Sequence, residues 1–318
     1  MALTLQHMHH DLPLADPALD RFAELPQGLR ICYRSYGQPH NPAMVLVAGL
    51  GLQLVSWPMA LIEGLVANGL HVIVLDNRDM GRSTHLSTLP PARWRLLLGR
   101  IPPGHYQIQD MANDVAALLD SLGIAKAHVL GMSMGGMIAQ NLAAQHPEKV
   151  LSLTSIFSTT GNKQVGQPAS STLWRMLTSK VVWTLPAAQD KYVGMMRHIG
   201  NPQVPEIETV WRNYIAQAWQ RDTPEQGLLG YERQVAAIVA SGDRTAQLRQ
   251  IQTPTLVIHG DQDRMVHPSG GAATAQAIRG AKLHTIQGMR HQIDAEITPS
   301  LLQVIVPHVQ ASSSVHHI

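Results

Sequence analysis

The chain has 318 residues, of which 45% are hydrophobic and 14% charged. That balance excludes intrinsic disorder and suits one large domain with an insertion, or two modest domains. Lys plus Arg number 24 against 22 Asp plus Glu, a formal charge of +2 with no basic block, which argues against a general nucleic-acid or polyanion binder.

Residues 1–25 are polar, carry Pro13 and Pro17, and precede Pro26. They read as an arm with little regular structure. The first residues lack a basic start followed by an apolar core, so no secretory signal is expected. No run approaches the roughly 18 apolar residues of a membrane span. A soluble cytoplasmic protein is the expectation. His7, His9 and His10, with His316 and His317, read as solvated terminal side chains rather than metal ligands, and no metal or cofactor is expected.

Short apolar runs then alternate with helical patterns. Strands are predicted at 29–36, 43–48, 71–76, 127–131, 150–157, 255–259 and 282–286. The single cysteine, Cys32, lies in the first and cannot form an intrachain disulfide; buried strand filler is its expected role. Several runs are continuously apolar, as in Met44-Val45-Leu46-Val47-Ala48. Strands of that kind are covered on both faces, which predicts a parallel sheet flanked by helices.

A helix is expected after the second strand, near 57–65. The stretch 85–106 is a small excursion, with Pro90-Pro91 and Pro102-Pro103 bracketing an amphipathic segment at 94–101. Ile108, Met111, Val115, Leu118 and Leu122 form one face of an amphipathic helix, which Gly123 stops. A second helix is predicted over 134–145, ended near Pro147. Residues 161–250 break the rhythm. They hold four of the six tryptophans, Trp174, Trp183, Trp211 and Trp219, and no convincing strand. A helical cap is the reading, with most of these aromatics forming its own core and a few able to line a pocket. A last helix is predicted at 301–306, ended by Pro307, with His308 just beyond it. The expected division is an arm (1–25), a core (26–160 and 251–318) and a cap (161–250), in the α/β class with a mostly parallel sheet.

The sharpest local signal is Gly131-Met132-Ser133-Met134-Gly135, followed by Gly136. It has the form G-x-S-x-G between a strand and a helix, a turn that lifts a serine hydroxyl above the sheet edge. A serine hydroxyl is a weak nucleophile at neutral pH. It needs a base, usually histidine, and the base needs a carboxylate to hold its tautomer. The carboxylate should follow a later strand, and Asp261-Gln262-Asp263 follows the strand at 255–259. The histidine should follow the last strand. Of seventeen histidines, His291 alone sits in that loop. His259 and His284 fall on strands, and His267 follows no new strand.

With these residues in place, the sequence resembles the α/β-hydrolase superfamily over roughly 28–160 and 250–309. The run Asp76-Asn77-Arg78-Asp79-Met80-Gly81-Arg82-Ser83 is similar to the family's D-x-R-G-x-G-x-S turn, with Asp79 where glycine is usual. Gly260-x-x-Asp263 matches the family's acid position. The resemblance therefore implies a triad of Ser133, Asp263 and His291, with Asp261 as a turn residue. It implies an oxyanion hole from two backbone N–H groups, one of Met134 and one from the loop Ala48-Gly49-Leu50-Gly51, where the family usually has His-Gly-x. Leu50 fits that second place, with Gly51 the alternative. The same loop resembles a branch of bacterial esterases that includes polyketide methyl esterases.

The implied function is a serine hydrolase that cleaves carboxylic esters through an acyl-enzyme. The partner is a small-molecule ester, apolar and of small to medium size given the Trp, Met and Leu of the insertion. Acyltransferase, lactonase and carbon–carbon hydrolase are alternatives on the same triad. Two readings of another class also need weighing. Gly49-x-Gly51 followed by a helix, a strand and Asp76 mimics a nicotinamide-binding unit of an oxidoreductase, but Leu54 replaces the third glycine. A non-enzymatic binding protein on this fold would commonly lack a triad member, and all three are present here.

Overall fold

The computed structural model describes residues 16–201, 204 and 207–314; the terminal histidines singled out above lie outside them. One sheet of eight strands organises the chain. The strands are β1 (Arg21–Glu24), β2 (Arg30–Tyr36), β3 (Ala43–Val47), β4 (His71–Leu75), β5 (Ala127–Met132), β6 (Val150–Ile156), β7 (Thr255–Gly260) and β8 (Lys282–Ile286). Their spatial order is β1-β2-β4-β3-β5-β6-β7-β8. The pairs β1–β2 and β2–β4 are antiparallel and every later pair is parallel.

The helices are α1 (Met59–Ala67), α2 (Arg93–Leu97), α3 (Ile108–Ser121), α4 (Met134–Gln145), α5 (Ser170–Thr178), α6 (Leu185–Ile199), α7 (Ile207–Arg221), α8 (Pro224–Ser241), α9 (Thr245–Leu248), α10 (Ser269–Ala277) and α11 (Thr298–Ser314). The continuous apolar strands have the cause expected. β3 and β4 are buried at every position. Val45 and Val47 face one hydrophobic cluster with α3 and α4, while Met44 and Leu46 face the other with α1 and α11. Helices therefore cover both faces, as parallel strands require. Cys32 is buried in β2, and burial with the charges of Asp76 and Asp20 pushes its thiol far up, so it stays protonated.

Two expectations fail. Part of the arm is ordered: 21–24 form β1, pairing antiparallel with β2 from Arg21↔Tyr33 to Glu24↔Arg30. Only Ala23 of this strand points inward, so its sequence carries almost no apolar signal. A charge secures it instead. The fully buried Asp20 carboxylate accepts from Arg34 Nε at 2.6 Å, Arg82 Nη1 at 2.7 Å and Arg221 Nη1 at 2.6 Å. Pro307 also does not end the last helix, which runs on to Ser314 with Pro307 inside it and His308 within rather than beyond it. A proline there forgoes one helical hydrogen bond. Leu301, Ile305, Val309 and Ser312 are all buried on one face across it, and that packing outweighs the lost bond.

Residues 161–250 contain α5 to α9 and, among the described residues, no strand. Trp211 is buried and packs on Tyr192 and Tyr214 with ring centroids 5.4 and 5.5 Å apart. Trp174 and Trp183 are exposed, and Trp219 is half-buried.

Candidate active site

Ser133 stands between β5 and α4 with φ 54° and ψ −120°, a conformation that costs a non-glycine residue on the order of 1–3 kcal/mol. The surrounding packing imposes it. A Cβ on Gly131 would lie 2.1 Å from Gly135 O, and one on Gly135 would lie 2.0 Å from Val47 O. The two glycines of the motif are thus required by the approach of α4 to β5 and β3. Ser133 N–H donates to Ile156 O at 2.9 Å, and Ser158 Oγ donates to Ser133 O at 2.8 Å. The hydroxyl is left projecting beyond the C-terminal ends of the parallel strands.

His291 and Asp263 lie beside it. His291 Nε2 is 3.0 Å from Ser133 Oγ, and His291 Nδ1 is 2.7 Å from Asp263 Oδ2. With Nδ1 protonated toward the carboxylate, Nε2 is free to accept the serine proton. The other Asp263 oxygen accepts the N–H groups of Met265 at 2.8 Å and Val266 at 2.9 Å. Burial alone would raise the Asp263 carboxyl. The charge of His291, hydrogen bonds from His259 and His291 and the Val266 N–H overcome that and hold it well below the usual carboxylate range. Asp263 is therefore ionised at neutral pH. Asp261 is exposed, and its Oδ1 accepts Gly288 N–H at 2.7 Å, so it shapes the turn before His291 and touches neither His291 nor Ser133.

The loop after β3 reaches the same place. The β3–β5 register sets Val47 opposite Gly131, so the residues leaving both strands are neighbours. A Cβ on Gly49 would lie 3.3 Å from Ser133 Cβ. Gly51 N–H donates to Gln234 Oε1 at 3.0 Å and is thus turned away from the serine. That bond removes Gly51 from the two donors the sequence offered in this loop, Leu50 and Gly51. Met134 is the first residue of α4, where a backbone N–H has no partner within its own helix.

The remaining histidines fall elsewhere. His267 bonds Ser269 Oγ, His284 is exposed on β8, and His308 Nε2 is 3.2 Å from Leu153 O. His259 is closer than its place on a strand implied. Its Nε2 is 2.9 Å from Val266 O and 3.4 Å from Asp263 Oδ2, so it supports the acid from behind. Sequence reasoning missed that contact, and also Phe157, whose ring packs on His291 with centroids 4.4 Å apart. It expected helices over 161–250 but not the contacts by which they brace the loops. His291 N–H donates to Ile199 O at the end of α6, Gln53 N–H to Tyr214 Oη of α7, and Gln234 Nε2 to Arg78 O. No local pattern marks contacts made across so much chain.

The nicotinamide alternative does not fit. α1 starts at Met59, well past Gly51. Asp76 is fully buried, accepting Leu54 N–H at 2.7 Å and pairing with Arg221 at 2.6 Å, so it offers no carboxylate to a ribose. Among the described residues, no three His, Cys, Asp or Glu side chains are grouped to hold a metal ion, and no helix is long and apolar enough to cross a membrane.

The departure at Asp79 has a partner. Its carboxylate receives Arg233 of α8 through Nε at 2.8 Å and Nη2 at 2.7 Å, both side chains being buried. Arg233 Nη1 also donates to Thr88 O. Asp79 keeps the left-handed φ of 68° that makes glycine usual at such a position.

Comparison with known proteins places the chain in a family. Residues 42–293 match the family model described as alpha/beta hydrolase fold, and the chain belongs to that family. It is 28% identical over 299 residues to the rhodomycin D methylesterase DnrP of Streptomyces peucetius, covering 87% of this chain and 94% of that enzyme. It is 25% identical over 271 residues to 3-oxoadipate enol-lactonase 2 of Acinetobacter baylyi, covering 82% and 86%. In fold it resembles the enol-lactonase from Burkholderia xenovorans LB400, with a TM-score of 0.70, 24% identity and 91% of this chain and all of that chain covered.

Proposed function

We propose that the protein is a serine hydrolase of carboxylic esters that works through an acyl-enzyme formed on Ser133. The observation that carries the reading is the line from Ser133 Oγ to His291 Nε2 to Asp263, with contacts of 3.0 and 2.7 Å. His291 takes the serine proton as the hydroxyl oxygen attacks the ester carbonyl carbon. Asp263 fixes the ring and stabilises its charged form without itself taking the proton. The carbonyl oxygen, now negative, is met by the N–H groups of Leu50 and Met134. Collapse breaks the bond to the alkoxy oxygen, and His291 returns the proton to the leaving alcohol. Water then repeats the sequence on the acyl-enzyme and releases the acid.

The helices at 161–250 act as a cap in this reading. Their hydrogen bonds to the loops of Leu50 and His291 support a place over the site. The acid and alcohol parts of the substrate are small to medium and apolar, in keeping with the methylesterase relative.

The test is covalent labelling. An organophosphonate should modify Ser133 alone, and Ser133→Ala should lower turnover of a nitrophenyl ester by on the order of 10⁴- to 10⁶-fold with folding intact. Labelling at another residue overturns the assignment.

A further inference from the structure

Two neighbouring segments put large apolar side chains into water. α2 buries none of its residues and α5 buries only Thr172. Around α2, Leu89, Trp94, Leu97 and Leu98 are exposed. Around α5, Leu173, Trp174, Leu177 and Trp183 are exposed, and all eight side chains are between 45% and 75% accessible. Among the described residues, these are eight of the twelve strongly exposed large apolar side chains. Scattered singly they would need no explanation; gathered, they mark an interaction surface.

α5 packs on α6 and α2 packs on α8, two helices of the 161–250 insertion. Lys191 Nζ donates to Lys180 O at 2.8 Å, just past α5. Burial and the nearby Arg93 guanidinium of α2 lower the Lys191 ammonium, and Arg93 also pairs with Glu232 of α8 at 3.2 Å. The joint face borders the candidate site. Ala169 N–H, at the start of α5, donates to Arg264 O beside Asp263 at 3.0 Å. On α8 the Tyr231 ring lies against Gly51, 2.9 Å from where a Cβ would be.

The two exposed segments carry charge of one sign. Neither 89–100 nor 173–183 contains an Asp or Glu. Arg95, Arg100, Arg175 and Lys180 have no carboxylate partner among the described residues, and Arg95 lies over the Trp94 ring at 5.0 Å. Tryptophan and leucine rimmed by unpaired cations is the composition of a surface lying in a bilayer interface. A second copy of the chain, docked face to face, would bring the same cations together.

We propose that this face seats the protein on an anionic lipid surface. Trp94, Trp174 and Trp183 enter the headgroup layer, the arginines and Lys180 meet lipid phosphates, and the loops of Gly51 and Asp263 turn toward the membrane. Docking of this kind is independent of ester hydrolysis and needs no turnover.

The full chain carrying Ser133→Ala therefore serves as the probe protein. It is mixed with vesicles of phosphatidylcholine, with or without phosphatidylglycerol, and binding is read by flotation. The expected result is binding to the anionic vesicles, weakened by salt, with a blue shift of tryptophan emission. Arg95→Gln with Arg100→Gln should lower the partition coefficient at least tenfold, since each basic residue at a lipid surface contributes about fivefold. Trp174→Ala with Trp183→Ala should lower it comparably. All four side chains are outside the core, so circular dichroism and Tm should hold. Absence of vesicle binding, equal binding to neutral vesicles, or a dimer that Trp174→Ala dissociates in place of vesicle binding overturns the proposal.

Discussion

Gln234 and Gly51 are 183 residues apart in the chain, and the side chain of the first sets the direction of the second's backbone. Gln234 is fully buried; its Oε1 accepts Gly51 N–H at 3.0 Å while its Nε2 donates to Arg78 O at 2.9 Å. One side chain thus fixes the loop after β3 and the turn after β4. With Gly51 N–H committed, the oxyanion donor proposed for this loop is Leu50 N–H. Gln234→Leu removes both bonds and Gln234→Glu removes only the donor. A misaimed oxyanion donor costs on the order of 10²-fold in kcat. We expect that loss for Gln234→Leu with KM little changed, matched by weaker inhibition by a boronic acid that mimics the tetrahedral state. Gln234→Glu should fall between. An equal loss in kcat with boronate affinity untouched would mean that Gln234 only stabilises the fold.

The two aspartates of the β7 loop make a sharp contrast. Asp263→Asn should lower kcat by roughly 10⁴-fold, because the amide leaves His291 in the wrong tautomer. Asp261→Asn should cost only a few fold at most, since its exposed carboxylate accepts one N–H, from Gly288. The measurement is kcat for both variants on one ester. A reversal of the order would move the acid to Asp261.

These residues were readable because their signals are local. Ser133 sits between glycines whose Cβ atoms would collide with Gly135 O and Val47 O, so close packing leaves a short motif. Asp263 follows β7, whose Leu256-Val257-Ile258 run is continuously apolar and buried. His291 stands in the loop after β8, the last strand, which is exposed at all but Ile286, so its place in the chain order rather than an apolar pattern marks it. β1 was illegible because one inward alanine is no pattern and Asp20 does the holding. Pro307 misled because a local rule lost to a buried stripe running past it. Arg233, Gln234 and Phe157 act across the fold, where spacing along the chain says nothing.

Asp79 and Arg233 form a buried pair, and removing one partner strands the other. Asp79→Gly relieves the left-handed backbone, by roughly 1 kcal/mol. It leaves Arg233 uncompensated, at a cost of about 3–5 kcal/mol. The expected net loss is about 2–4 kcal/mol in urea unfolding. Asp79→Gly combined with Arg233→Met should recover most of it. Additive losses in the double variant would show that the two side chains do not couple.

Asp222, at the junction of α7 and α8, makes stability depend on pH. Its side chain is 6% exposed, and His85 Nε2 is 3.5 Å from Oδ1. Burial pushes the carboxyl up to about 6 from an ordinary 3.8, against the pull of His85. The folded state then binds more protons than the unfolded chain between these values. Stability therefore falls as pH rises through that window. Asp222→Asn cannot ionise and should raise the unfolding free energy at pH 8 by on the order of 1 kcal/mol, the conversion being reduced for solvent screening. At pH 4 the gain should vanish. An equal gain at both pH values would place the effect in packing rather than charge.

Acyl-chain preference should report which side chains stand over Ser133. If the helices of 161–250 cap the site as proposed, each methylene buried against them recovers roughly 0.8 kcal/mol, so kcat/KM on nitrophenyl esters should climb with acyl length until the space is full, then fall. Tyr231 lies against Gly51, next to the Leu50 donor, and is 37% exposed. Tyr231→Ala enlarges the opening there and should move the optimum to longer chains, with Tm nearly unchanged. Trp211 is locked between Tyr192 and Tyr214. Trp211→Ala empties that cluster and should lower stability by about 3–5 kcal/mol. Trp174 and Trp183 are exposed, so replacing either with alanine should leave the profile on water-soluble esters as it was. A length optimum that ignores Tyr231 but follows Trp174 or Trp183 would mean that the acyl chain leaves the site on the side of α5 and not past Gly51.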